Sequence, residues 1–277
     1  MKWPDGPLVL GRFEERLHRF GARVKVQGRS HYCHVTNSGR LKELLRPGAR
    51  VALVDHGERP LASGAPRKTR YSIRLAYWRK TWVCIEANVA PKLLAEAWQA
   101  GRVPELSAYG ELQAEVPLDA HTRFDFQARD GRSGKKAWVE VKCVTLVDEK
   151  GLGRFPDAPS ERASKHLREL KSLSRRPKTQ CLVFFILQNG RGRAVGPKDD
   201  TDPLFGRTLR EVARSRVKLL AWRARVDLKG AHLEKPIPLA LKAPRPIPEK
   251  AALKAPPPTK ATRGAPRARA STKRAHN

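Results

Sequence analysis

Three residues on two neighbouring segments have the types and spacing for phosphodiester chemistry. They are Asp125 in RFDFQAR (123–129) and Glu140 and Lys142 in WVEVKCVTL (138–146). Both segments read as strands, and successive side chains on a strand point to opposite faces. Val139, Val141 and Cys143 then share one face, and Glu140 and Lys142 share the other. Phe124 and Phe126 are expected on one face of their strand, with Asp125 on the opposite one. Consecutive strands most often lie side by side, so the loop RDGRSGKKA is expected to close a hairpin that brings Asp125 beside Glu140 and Lys142. Two carboxylates in that position would hold a hard divalent cation, Mg²⁺ or Mn²⁺. Such an ion offsets charge on a phosphate and acidifies a bound water, while the lysine positions that water or neutralises developing charge. Glu96, on the preceding helix, is a candidate third carboxylate. The alternative is a solvated polar sheet face, whose ion pairs contribute little.

The elements needed to position these groups are legible in the surrounding pattern. Residues 1–86 read as short strands (GARVKVQ, HYCHVT, RVALVDH, RYSIRLAYW, TWVCIEA) separated by turn signals such as NSG and PG, which predicts a small barrel or sandwich. Residues 87–227 read as a mixed α/β domain. PKLLAEAWQAG is a helix with Pro in its first turn and Gly past its end. ELQAEVPL, RFDFQAR and WVEVKCVTL are strands. SERASKHLRELKSL is a helix opened by a capping Ser. CLVFFILQ is a strand buried on both faces. LFGRTLREVARSR is a helix, and VKLLAWRARVD a last strand. The order α-β-β-β-α-β-α-β is that of a nuclease core.

The chain of 277 residues carries 57 Lys+Arg against 27 Asp+Glu, a formal charge of +30. From residue 228 onward there are 12 Lys/Arg, 2 Asp/Glu, 9 Pro and 11 Ala. That segment, 228–277, is expected to be a disordered basic tail. Removing its +10 leaves +20 on the remainder, so the folded part is itself basic. The natural partner of such a field is a polyanion, nucleic acid first and acidic membrane surfaces second, and the tail should add salt-sensitive attraction to phosphates. The four cysteines, Cys33, Cys84, Cys143 and Cys181, form no C-x-x-C pair and read as buried thiols. No apolar run is long enough to span a bilayer and no secretory signal opens the chain, so a cytoplasmic protein without a membrane partner is expected.

At VEVKCVTL, TRFDF, GRFPDAPSERASKHLREL and TNSGRLKELLRPGARV the sequence resembles the sugar fermentation stimulation protein family, over about residues 8 to 227. The resemblance implies an N-terminal OB-like barrel joined to a domain of the PD-(D/E)xK nuclease type. It also implies DNA binding linked to regulation of sugar-metabolism genes. By motif position, Asp125, Glu140 and Lys142 match the nuclease triad and Glu96 the helix acid. Asp157, Lys165 and His166 fall in the family's signature segment. Two departures stand out: the family's Cys-Pro-Asn-Thr-Gly turn is Val35-Thr36-Asn37-Ser38-Gly39 here, and Cys143 replaces a serine.

Candidate nucleic-acid contacts are Arg40, Arg67 and Lys68 in the barrel's loops, together with Lys165 and His166. Tyr71, Tyr77, Trp78 and Trp82 are candidate stacking platforms, with burial in the core as the competing role for the tryptophans. Two functions follow: a DNA-binding protein, or a Mg²⁺-dependent nuclease acting on DNA or RNA.

Overall fold

The computed structural model describes residues 1–243, apart from 5 and 62. Six strands build the N-terminal part: β1 (Val9–His18), β2 (Gly21–Val26), β3 (Arg29–Val35), β4 (Arg50–Asp55), β5 (Tyr71–Trp78) and β6 (Thr81–Cys84). β2 follows the alternation rule, burying Ala22, Val24 and Val26 and exposing Arg23 and Lys25. The strand order is β3-β2-β1-β4-β5-β6, and a parallel pairing of β3 with β5 closes the first five into a barrel. This is the expected OB-like architecture. β1 is an addition to the expected strands. Its sequence VLGRFEERLH fully buries only Phe13, and its register with β2 slips between Phe13 and Glu15 and again between Arg16 and His18. Each slip breaks the period-two pattern by which a strand is recognised.

The second part is a six-stranded sheet in the order β15-β14-β12-β9-β8-β7. Its strands are β7 (Glu111–Pro117), β8 (Arg123–Arg129), β9 (Lys136–Val144), β12 (Thr179–Leu187), β14 (Lys218–Val226) and β15 (Ala231–Ile237). The central trio β9, β12 and β14 is parallel. Helix α1 (Val89–Gln99) packs on one face with Val139, Val141, Phe184 and Ile186. Helices α2 (Glu161–Leu173) and α3 (Pro203–Val212) pack on the other with Trp138, Val144, Val183 and Phe185. Covered on both faces, β12 is apolar at successive positions, as its sequence required. Ser160 caps α2 by accepting from the Ala163 N–H, one of the donors a helix start leaves unpaired. A small second sheet joins β10 (Leu146–Val147), β11 (Leu152–Phe155) and β13 (Ala194–Pro197). No helix among the described residues is long and apolar enough to cross a membrane.

The start of the tail needs correction. Residues 231–237, assigned to it by composition, form β15, which pairs antiparallel with β14 and buries Ala231 and Leu233. The chain then docks on β13: Val195 N–H donates to Pro238 O, and Ala240 N–H to Val195 O. A Cβ on Gly196 would sit 2.5 Å from Ala240 O, so this approach needs a glycine. Residues 244–277, the rest of the expected tail, lie outside the described residues.

Candidate metal centre and nucleic-acid surfaces

β8 and β9 pair from Arg129↔Lys136 to Phe126↔Val139, and there the ladder stops. Beyond it the Asp125 carboxylate takes over the role of a backbone acceptor: its Oδ2 accepts from the Val141 N–H at 2.6 Å. The departure from regular pairing also changes the packing of β8. Phe126 lies with α1 in one core and Phe124 with α2 in the other, so the two phenylalanines are not on one face as alternation predicted.

Glu140 and Lys142 do share a face of β9, the one covered by α2. Lys142 Nζ donates to Glu140 Oε1 at 2.5 Å. The same oxygen accepts from His166 Nδ1 at 2.8 Å. His166 is only 2% exposed and packs edge-on against Phe124. Its other nitrogen, Nε2, faces the Arg162 Nε–H at 3.4 Å. Arginine can only donate, so Nε2 is the acceptor and the ring proton sits on Nδ1, directed at Glu140. His166 therefore aims a carboxylate, and its burial removes it from the expected nucleic-acid contacts.

Charge at the site is finely divided. Burial works against the Glu140 carboxylate, but Lys142 and the His166 hydrogen bond outweigh it and hold its pKa below the ordinary value. Asp125 goes the other way: burial, then repulsion from Glu140, raise it to about 6 despite the Val141 hydrogen bond and Lys142. Glu115, across from Asp125 in the β7–β8 pairing, adds a smaller repulsion of the same sign. It is the third acid near the site, at a positive-φ residue that sequence reasoning did not single out.

Glu96 does not join these groups. Its Oε2 pairs with the Met1 amino group at 2.7 Å, on the outer side of α1. Arg40, Arg67 and Lys68 are exposed on barrel loops, and none forms a hydrogen bond or ion pair with Asp125, Glu140 or Lys142. Arg67 donates to Arg59 O. Lys165 is half exposed next to His166 and pairs loosely with Glu169 at 3.5 Å. Tyr71 and Trp78 are core residues. Tyr77 and Trp82 are half-buried, with Arg50 stacked over both. The exposed barrel aromatics are instead Phe20 (45%) and Tyr32 (46%), with Arg19 over the Phe20 ring. They flank the β1–β2 turn, and recognising β1 as a strand would have exposed them to view.

The two signature turns meet between the domains. Asp157 Oδ2 accepts from the Leu41 N–H at 2.6 Å, holding Leu41 at a positive φ of 52°, a conformation rare for a branched side chain. Asn37 donates to Ile85 O and accepts from the Gly39 N–H. Asp157 is thus a loop clamp beside a cavity of about 140 Å³ lined also by Arg19, Arg154 and Ser160.

The acids fit a hard divalent cation. Among the described residues, no donor is directed at Asp125 Oδ1 or Glu140 Oε2, so each carboxylate keeps an oxygen for a ligand. Nowhere among those residues do three or more His, Cys, Asp or Glu gather as a metal cluster. Two carboxylates, each with a free oxygen, are the kind of ligand set by which Mg²⁺ is commonly held, its shell completed by water and substrate phosphate.

A closed OB barrel joined to a mixed-sheet α/β domain, with Asp125, Glu140 and Lys142 on its adjacent strands, defines the class of this molecule. Residues 15–85 match the SfsA N-terminal OB domain, and residues 88–230 match the sugar fermentation stimulation protein RE domain. The chain belongs to the sugar fermentation stimulation protein family. It is 36% identical over 241 residues to the sugar fermentation stimulation protein homolog of Acetivibrio thermocellus, covering 86% of this chain and 99% of that one. The homolog of Desulforamulus reducens is 37% identical over 234 residues, covering 84% and 93%. The structure of Pyrococcus furiosus SfsA in complex with Ca²⁺ has the same fold, with a TM-score of 0.76 at 23% identity over 87% of this chain and 98% of that one.

Proposed function

We propose that this protein binds nucleic acid, DNA first, and cleaves its phosphodiester bonds with a divalent metal held by Asp125 and Glu140. The observation that carries the reading is the pair of adjacent carboxylates, one held ionised and the other raised to about 6. Two acids facing a polyanion repel it unless a cation lies between them. The bound metal would offset phosphate charge and lower the pKa of a water. The chain's own groups do the rest. His166, fixed in its tautomer by Arg162, orients Glu140. The Val141 N–H orients Asp125. Lys142 is placed to neutralise charge developing on a phosphate oxygen. That the related Pyrococcus furiosus protein has been seen with Ca²⁺ supports a divalent ion.

A second reading, binding without turnover, is favoured by the exposed Phe20 and Tyr32 on a basic barrel. The name of its relatives, sugar fermentation stimulation protein homolog, is consistent with a setting in the regulation of sugar-metabolism genes.

Labelled single- and double-stranded DNA and RNA, incubated with the protein in Mg²⁺, Mn²⁺ or EDTA, separate the two. Cleavage is expected with metal only, and lost by about 10² or more in Lys142→Ala. His166→Asn, whose amide can still donate to Glu140, should keep more activity than His166→Phe. Wild-type cleavage by Lys142→Ala would overturn the site; binding without cleavage in every metal would leave the second reading.

A further inference from the structure

We propose that the amino-terminal end of the parallel sheet, where β9, β12 and β14 begin, is a second binding surface, for the phosphate backbone of a nucleic-acid duplex. This rests on the nucleic-acid-binding reading above and is independent of cleavage. Two adjoining hollows occupy this end. One, of about 440 Å³, is lined by Lys171, Arg175, Arg214 and Arg216 with Ser174 and Ser215. The other, of about 360 Å³, shares Ser174 and Arg216 and adds Arg176 and Lys178. The cations come from the ends of α2 and α3 and from the turn before β12. They converge because parallel strands begin at the same edge.

Basic residues at helix carboxyl ends commonly serve the last carbonyls. Here those carbonyls are served otherwise. Ser174 Oγ donates to Lys171 O at 2.8 Å and Ser215 Oγ to Val212 O at 2.7 Å, while the Arg175 and Arg214 N–H groups donate to Ser172 O and Glu211 O. Among the described residues, none of the six cationic side chains makes a hydrogen bond or ion pair. Some arginines elsewhere in the same domain are paired, Arg210 with Asp199, Arg154 with Asp148 and Arg223 with Glu234, but here the unpaired cations are clustered. Crowded like charges without partners repel one another and contribute nothing to the fold, and a polyanion relieves that repulsion.

The surroundings select the kind of polyanion. The exposed large apolar side chains of the described residues, such as Phe20, Tyr32 and Leu204, lie elsewhere. Nothing here stacks an unpaired base or enters a bilayer. Tyr109, the aromatic in the second hollow, is buried and donates its hydroxyl to Gln180. A basic surface without a stacking platform suits a duplex, whose bases are already paired and whose phosphates face outward. From the Lys136↔Thr179 pair to Glu140↔Val183 is four residues, about 13 Å along the strand. A duplex lying on this end would pass within reach of the acids.

The test uses the full chain in EDTA and measures affinity for duplex DNA, duplex RNA and single strands across a salt series. Arg175→Ala, Arg214→Ala and Arg216→Ala are combined, all three side chains being exposed. The slope of log affinity against log salt should fall by about 2.7 for the preferred duplex, three phosphate contacts at about 0.9 each, with single-strand binding little changed. Duplex DNA should also shield Lys171 and Lys178 from amine acylation. A wild-type slope together with unshielded lysines would overturn this surface while leaving the metal site standing. Absence of any nucleic-acid binding by the wild-type chain, in EDTA and with Mg²⁺ alike, would overturn the nucleic-acid reading and this surface with it.

Discussion

Asp125 serves two demands that oppose each other. Its Oδ2 replaces a lost ladder acceptor for the Val141 N–H, which stabilises the fold. Its charge, buried beside Glu140, does the reverse. With a folded pKa of about 6 against an ordinary 3.8, the folded protein keeps a proton that the unfolded chain releases. The contribution to stability is therefore most favourable below about 3.8, falls as pH rises to about 6, and stays low above that. Asp125→Asn keeps an oxygen for Val141 and removes the charge. In EDTA at neutral pH it should be more stable than the wild type by roughly 1–3 kcal/mol, with a flatter melting temperature between pH 4 and 6, and should no longer bind Mn²⁺. A variant melting below the wild type at neutral pH would contradict this account. The residue types of this site were legible in the sequence; its geometry was less so. Asp-…-Glu-x-Lys named the right groups, but where a ladder ends is decided by contacts far along the chain, so the split between Phe124 and Phe126 was invisible. Glu96 was lost for the same reason, because its partner Met1 is 95 residues away. His166 left a readable signal: Ala163, Leu167, Leu170 and Leu173 are apolar at helical spacing, and His166 falls within that buried stripe.

The helices and central strands of the second domain were legible because each carries a strong local cue: a capping Ser, an apolar run, a Pro in the first turn. The elements that escaped are those whose cues are short or diluted. β10, β11 and β13 have two to four residues each, too few to show a period. β15 sits in a Pro- and Ala-rich stretch whose average composition reads as a tail, yet Ala231-His232-Leu233-Glu234 alternates buried and exposed as an edge strand should. Its burial predicts a sharp boundary. A chain ending at residue 243 keeps β15 over β14 and α1, whereas a chain ending at residue 227 uncovers that edge and loses Ala231 and Leu233 from the core. The shorter chain should be less stable by about 3–5 kcal/mol, on the scale of two or three buried side chains, and should aggregate through the uncovered strand. Denaturant titration of the two checks this, and equal midpoints would mean that β15 adds nothing to the fold.

At the scale of the molecule, what matters is that the barrel and the sheet domain are fastened together rather than linked. Gln188, just past the end of β12 and 0% exposed, donates to Cys84 O at the end of β6 and to Glu86 O just beyond it, and to Cys143 Sγ at 2.9 Å. The Cys84 N–H donates back to Gln188 O. Asp157 holds Leu41 at the same junction, and Glu86 also forms a buried ion pair with Arg74 at 2.6 Å. One apolar cluster runs from Phe13 and Val24 in the barrel to Leu167 and Phe185 beneath α2. Buried polar groups of this kind are costly to part, since each exposed donor or acceptor must find water in a gap it was shaped to exclude. The two domains, drawn apart in the sequence by a change of pattern near residue 87, should therefore unfold as one. Calorimetry of the full chain should give a single transition whose van't Hoff and calorimetric enthalpies agree. Gln188→Ala, which strips the junction of its central donor, should lower the midpoint and broaden or split that transition, while variants at the exposed Arg67 leave it intact. Two resolved transitions in the wild type would mean that the halves fold independently. A rigid junction of this kind would also fix the barrel's aromatic surface relative to the acids, so that nucleic acid held by one is presented to the other at a constant distance.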